Sequence, residues 1–377
     1  MSIPTALTGA FLIAVILWEA FETLIYPRRV TRRVRLTRIF YRVTWKAWRA
    51  VVHRISSRHL RENLFSIYGP LSFLVLLSLW AFTLILGFGL LNSSTASTSE
   101  GQPSLGTNLY YSGTTFFTLG LGDIRPLTPW GRLLSVLEAG TGLGFLAIVI
   151  GYLPGLNQSF SRREVNISLL DARAGSPPTA AEMLHRHNDD QGMESIRQTL
   201  HEWERWSAEL LESHLSYPVL AYFRSQHDNQ SWLAALAAML DISAFVMVGI
   251  EGACVRQAQL TFAMARHTVV DLSLIFGVTP RWPEPDRLPP AALSNLRSML
   301  LAADLRPTLG DEADLKLLEL RGMYEPFLFA LSTHFRLDLP PWVPQSHMAD
   351  NWQSSISVPQ PGAAKVVRLR RGSERHF

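Results

Sequence analysis

The sequence predicts an all-α membrane protein with a helical cytoplasmic domain. Three observations carry that prediction. Three apolar stretches are each about one bilayer thickness long as helix. Charge is scarce and segregated: 18% of the 377 residues are charged against 47% apolar, where soluble chains average about 25% charged. The C-terminal half has helical amphipathic patterning and no convincing strand alternation. The length allows two modules. Cys254 is the lone cysteine, which excludes disulfide frameworks and cysteine-rich metal sites.

The net charge of +4 hides its distribution. Residues 28–61 hold 12 Lys/Arg and no acid, residues 160–350 hold 16 basic and 24 acidic residues, and the last 13 hold 5 basic and 1 acidic. Residues 3–26 (IPTALTGAFLIAVILWEAFETLIY) have no basic region before them and no small-residue cleavage site after them, so they read as an anchor and not a signal peptide. Glu19 and Glu22 near its end read as interfacial acids within reach of Arg28 and Arg29. In the basic segment, Arg28, Arg32, Arg35, Arg42, Lys46, Arg49 and His53 recur at helical spacing. Phe40, Val43, Ala47, Val51 and Ile55 fall on another face, and Trp45 and Trp48 suit an interface. This pattern predicts an amphipathic helix on the inner leaflet against anionic headgroups; its place between two spans speaks against nucleic acid as a partner.

Residues 66–91 carry no charge and read as the clearest span; residues 131–153 form a third, containing Glu138, and an ionisable residue inside a span is a functional hypothesis. The 66–91 span has no arginine ladder, so no voltage sensor of that kind is expected. The basic 28–61 segment assigns the cytoplasmic side. The N-terminus is then outside a cell (inner) membrane, residues 92–107 face outside, and everything after about 157 is cytoplasmic.

Between these spans lies NLYYSGTTFFTLGLGDIRPLTPWGR, residues 108–132, too short and interrupted to cross. A loop at membrane depth survives only if buried in protein or lining water. In Thr118-Leu119-Gly120-Leu121-Gly122-Asp123, two glycines alternate with apolar residues. Glycine takes φ > 0 without steric cost, so backbone handedness can alternate and successive carbonyls can point one way. Four such strands around an axis would replace an ion's hydration shell.

This stretch resembles the pore loop of the potassium channel family, whose filter reads Thr-Val/Ile-Gly-Tyr/Phe/Leu-Gly-Asp. Tyr110, Tyr111 and Ser112 match its aromatics and serine before the filter. Pro126, Thr128, Trp130, Gly131 and Arg132 follow as in many bacterial members, and Glu138 and Gly142 match an inner-helix glutamate and the hinge glycine. The resemblance spans about residues 66–155. It implies K+ ions held at Thr118, Leu119, Gly120, Leu121 and Gly122, with the Thr118 hydroxyl and carbonyl at the innermost site. Asp123, Tyr110, Tyr111 and Thr114 would support the filter. It further implies a homotetramer, no organic cofactor and passive conduction, not enzyme catalysis. Two departures loosen the expected bracing: Leu121 has no hydroxyl to reach Tyr111, and Thr114 stands where some members carry a glutamate. A nonselective cation channel and a non-conducting receptor or scaffold are the alternatives.

Gly140, Gly142 and Gly144 soften the returning helix, which gives Gly142 a hinge role, compatible with close packing through small residues. Pro154-Gly155 is expected to end or kink that helix near an inner gate, and Glu138 to face the pore helix or a neighbour. The expected layout is an N-terminal span 1–27, a basic helix 28–63, a pore domain 64–156 (outer helix 66–91, pore helix 109–117, filter 118–123, inner helix 131–155), a helical cytoplasmic domain 157–345 and a basic tail 346–377. In the cytoplasmic domain, helices are expected from Ala180 after a Thr179 cap, over Met193–Leu215, 218–227, 231–252, Gln257–Phe276, Ala291–Ala303 and Asp314–Leu331. The apolar 232–250 stretch, with Asp241 in it, is expected as a buried bundle helix and not a fourth span. His185, His187, Asp189 and Asp190 read as a solvated helix end rather than a metal site, and His201, Glu204 and His214 as an exposed face. The acidic domain is expected to dock electrostatically on the basic segment. The sequence identifies no regulatory ligand for this domain.

Overall fold

The computed structural model describes residues 3–26, 35–95, 104–187, 192–227, 229–250, 254–303 and 305–344. Arg28, Arg29, Arg32, Asp189, Asp190 and the 346–377 tail lie outside them. Among the described residues there are α-helices and short helical turns but no β-sheet.

Helix α1 (Ile3–Ala20) continues as a π-type turn, Phe21–Ile25. It packs along α3 (Arg58–Thr95) through Gly9 and Gly87: a β-carbon on Gly9 would lie 2.5 Å from the Gly87 carbonyl. Close backbone approach through small residues holds helices together where lipid offers no hydrophobic drive. Glu19 is buried and accepts the Thr37 amide at 2.8 Å, at the start of α2 (Leu36–Val52). Glu19 therefore satisfies a first-turn donor and complements the helix dipole; it is a cap, not a solvated interfacial acid. Glu22 accepts from the Trp18 indole at 2.8 Å.

Helix α2 has three sectors. Thr37, Tyr41, Trp45 and Val52 are buried; Leu36, Ile39, Val43 and Val51 are exposed; Arg38, Arg42 and Lys46 are exposed beside them. Trp45 is therefore not at a lipid interface. Its indole donates to the His334 carbonyl at 2.8 Å, and that of Trp48 donates to the Leu64 carbonyl at 3.1 Å.

Helix α3 begins at Arg58, earlier than the expected 66. Helix α4 (Leu105–Phe116) is capped by Ser104, which accepts the Thr107 amide. Helix α5 (Pro129–Ala174) is capped by Thr128 on the Gly131 amide at 3.0 Å. Helix α5 does not end at Pro154. Proline removes one backbone donor, but below it Leu156, Arg163, Ile167 and Leu170 are buried, and that packing carries the helix on. The expected boundary at 156/157 thus falls inside one helix.

The C-terminal half contains α6 (Ala180–Arg186), α7 (Gly192–Ser216), α8 (Trp232–Gly249), α9 (Val255–Phe276), α10 (Pro290–Ala302), α11 (Asp311–Gly322) and α12 (Glu325–Phe335). Thr179 caps α6 on the Glu182 amide at 3.2 Å, and Ser231 caps α8 on the Ala234 amide at 3.0 Å. Helix α8 is long and apolar enough to cross a membrane. Yet all residues from Trp232 to Val246 are buried, under α6, α7, α9, α11 and α12; a helix apolar all round is here the core of a bundle. Asp241 is paired within it: Arg287 Nη2 at 2.5 Å and the Tyr324 hydroxyl at 2.7 Å both donate to its carboxylate, and Arg287 also reaches Glu325 at 3.1 Å.

Three expectations are corrected here. The 218–227 stretch is only a 3₁₀ turn, Pro218–Tyr222. Residues 314–331 are divided between α11 and α12, because Gly322 ends one helix and Pro326 sits in the first turn of the next. His214 is buried, not on an exposed face: its Nδ1 lies 2.8 Å from the Leu210 carbonyl and its ring packs on Trp232. Burial, with Arg163 nearby, pushes its imidazole down to about 3. Among the described residues no group of three His, Cys, Asp or Glu is placed to hold a metal.

The joint between the halves is chiefly aromatic rather than ionic. Tyr222 stacks on Tyr41 at 5.4 Å and meets Trp45 and Tyr68 edge-on, each at 5.3 Å. Arg38 donates to the Leu274 and Ile275 carbonyls at the end of α9, and Arg224 pairs with Glu62 at 3.6 Å.

Candidate functional site

Residues 117–123 leave α4 in a tight turn. The Leu119 amide donates to the Thr114 carbonyl at 2.8 Å, and the Gly120 amide reaches the same oxygen at 3.4 Å. Thr118 (φ 57°), Gly120 (φ 55°) and Gly122 (φ 78°) all take left-handed backbone, while Leu119 and Leu121 between them do not. Two of these are glycines, for which φ > 0 is free of steric cost. Thr118 is β-branched, and such a residue at positive φ is strained. The strand therefore alternates handedness over five residues, the arrangement that lets consecutive carbonyls share one side. In the single chain Leu119 and Leu121 are 62% and 63% exposed.

The surroundings place each proposed support residue. The Tyr110 hydroxyl donates to Asp123 Oδ2 at 2.9 Å, closing the strand onto α4. The Tyr111 hydroxyl bonds Ser135 of α5. Thr114 contributes its backbone carbonyl; its hydroxyl donates to the Tyr111 carbonyl at 2.9 Å. Ser112 is buried between the Ile85 carbonyl of α3, at 2.8 Å, and Glu138 of α5. Gly142 lies against the end of α4, where a β-carbon would overlap the Phe116 carbonyl. Its missing side chain permits this close packing. Gly140 and Gly144 have open space where a β-carbon would go.

Farther down α5, Pro154 is exposed and Gly155 abuts the Tyr217 hydroxyl. Tyr217 meets Tyr152 edge-on at 4.9 Å. Arg163 is buried and donates to the Leu220 and Phe223 carbonyls, both at 2.9 Å. Phe223 in turn packs on Gly69 of α3, 2.6 Å from where a β-carbon would stand. One short segment, 217–223, thus touches α2, α3 and α5 together. Sequence reasoning passed over Ser135, Arg163 and Tyr217. A buried arginine following a proline-glycine pair was a usable signal for the second; a serine or tyrosine gives none.

An apolar two-helix hairpin enclosing a re-entrant helix and a strand of alternating handedness is the architecture of an ion-channel domain. Residues 72–156 match the family model described as ion channel, so this part of the chain is an ion-channel domain in a multi-pass membrane protein. An uncharacterized membrane protein of Bacillus subtilis, YdjJ, is 26% identical over 224 residues, covering 57% of this chain and 62% of that protein. Two-pore potassium channel 5 of Arabidopsis thaliana is 42% identical over 55 residues, 14% of each chain. The chain therefore spans less than two thirds of either relative's length. No solved structure matches it.

Proposed function

We propose that the protein is a homotetrameric potassium channel that lets K+ flow passively down its electrochemical gradient. The observation that carries this reading is the alternation of φ at Thr118, Gly120 and Gly122 in a strand held to α4 by Tyr110 and Asp123. Four copies around an axis would offer rings of carbonyls from Thr118, Leu119, Gly120 and Leu121 in place of the ion's water. One chain carries one such strand, which is why four chains are required. Gly122 shapes the outer mouth. The C-terminal end of α4 presents its negative dipole end toward the entering cation.

In this reading α5 lines the pathway, and the cytoplasmic bundle gates it through the segment 217–223. Arg163 and Gly155 are the contacts on α5. The basic and apolar sectors of α2 rest on anionic inner-leaflet headgroups, with the N-terminus outside and the bundle in the cytoplasm.

Potassium flux into liposomes, with and without Gly120→Asp, tests conduction. The intact protein is expected to conduct and the variant to be silent; an intact protein without flux would favour a receptor or scaffold. Reversal potentials in mixed potassium and sodium test selectivity, and equal permeabilities would make it a nonselective cation channel.

A further inference from the structure

Three contacts between α4 and α5 lie in register. Tyr111 bonds Ser135, Ser112 bonds Glu138, and the Phe116 carbonyl receives Gly142. Ser135, Glu138 and Gly142 are three and four residues apart, so they share one face of α5. The middle rung is the polar one. Glu138 and Ser112 are both fully buried, with the Asn92 amide of α3 beside the carboxyl. At this depth no water can replace a bond that is lost.

Ser112 Oγ faces two oxygens at once, the Ile85 carbonyl and Glu138 Oε1. A hydroxyl has one proton and two lone pairs. Its one proton is shared between the two, so Ser112 is the donor and Glu138 Oε1 an acceptor. The rung then pins α4 to α3 and α5 together, six residues before the strained Thr118.

We propose that Glu138 is a positioning residue for the ion-selective strand: through Ser112 it fixes the rotation and depth of α4, and so holds Thr118 and Gly120 in their left-handed conformations. This rests on the channel reading above. Glutamine keeps the length and supplies an amide oxygen to accept from Ser112; leucine keeps the bulk and supplies none.

The test uses the full chain reconstituted in vesicles of phosphatidylethanolamine and phosphatidylglycerol. Potassium flux and the potassium-to-sodium permeability ratio are read for the wild type, Glu138→Gln, Glu138→Leu and Ser112→Ala. Glu138→Gln is expected to stay within about twofold of wild type, and the other two to lose about tenfold in the ratio, the size of one buried hydrogen bond. Size exclusion establishes that each variant assembles like the wild type; if Glu138→Leu does not, Ser112→Ala carries the test. A wild-type ratio in the assembled Leu or Ala variant overturns the proposal, as does a Gln variant that falls as far as Leu. A conducting wild type with unchanged variants sinks this role alone, whereas a wild type without flux sinks the channel reading and this role with it.

Discussion

Gly155 of α5 lies directly against the hydroxyl of Tyr217, with no room for a β-carbon between them. This is where the C-terminal bundle meets the long helix just past Pro154. Gly155→Ala is expected to push the two apart and destabilise the folded protein by about 1–3 kcal/mol, the usual cost of overpacking. Tyr217→Phe removes the overlapping oxygen and should recover part of that loss. Thermal unfolding in detergent of both single variants and the double variant checks it; strictly additive effects would break the assigned contact.

Gly142 and Gly144 are separated by one residue and should behave oppositely. A β-carbon on Gly142 overlaps backbone, the Phe116 carbonyl, while one on Gly144 meets nothing within 4 Å in the chain. Gly142→Ala is expected to cost more than about 3 kcal/mol, because backbone cannot rotate aside as a side chain can. Gly144→Ala should be neutral or stabilise by up to about 1 kcal/mol, the helix propensity difference. Assembly by size exclusion and thermal stability are the measurements, and equal tolerance at the two sites would contradict the close packing.

His214 should make the protein acid-sensitive. Its folded imidazole is pushed down to about 3 by burial beside Arg163, and the exposed unfolded form titrates near about 6.5. Between those values the unfolded chain binds the extra proton, so stability is full above about 6.5 and falls as pH drops. His334, pushed down to about 4 by burial with Arg49 and Arg42 nearby, acts in the same direction. From pH 7 to pH 5 the His214 contribution is about 2 kcal/mol. Unfolding midpoints measured across this range should drop less in His214→Gln than in wild type; parallel curves would rule the role out.

Arg287 neutralises two buried acids, Asp241 at 2.5 Å and Glu325 at 3.1 Å. Arg287→Met should cost about 3–5 kcal/mol, because it leaves the Asp241 carboxylate without its cation and Glu325 with Arg321 alone. Adding Asp241→Asn should recover part of the loss. Denaturant unfolding of the two variants checks the order, and an Arg287→Met protein as stable as wild type would show that the network carries no net stability.

Much of the membrane half was legible because the signals are local. The length of an apolar run decides whether a helix can span, and α1, α3 and α5 cover the three runs. Gly120 and Gly122 adopt φ > 0 as their missing side chain allows, and Ser231 and Thr179 cap the helices that follow them. The partners were not legible. Nothing in the sequence pairs Tyr111 with Ser135, or Trp45, whose pattern suits an interface, with the His334 carbonyl. An aromatic residue on a helix has the same pattern whether protein or lipid covers it.

The sequence by itself determined the number of long apolar helices in the membrane half and the short re-entrant segment between two of them. It also determined where the backbone could turn left-handed. These follow from composition over one or two helical turns and from glycine's freedom in φ. Only the tertiary structure decided that α5 passes through Pro154 to Ala174, that Gly142 packs on the Phe116 carbonyl, that His214 is buried, and that Asp241 meets Arg287 and Tyr324. Those outcomes depend on packing between residues far apart in the chain. Burial beyond Pro154 outweighs the one backbone bond that proline removes.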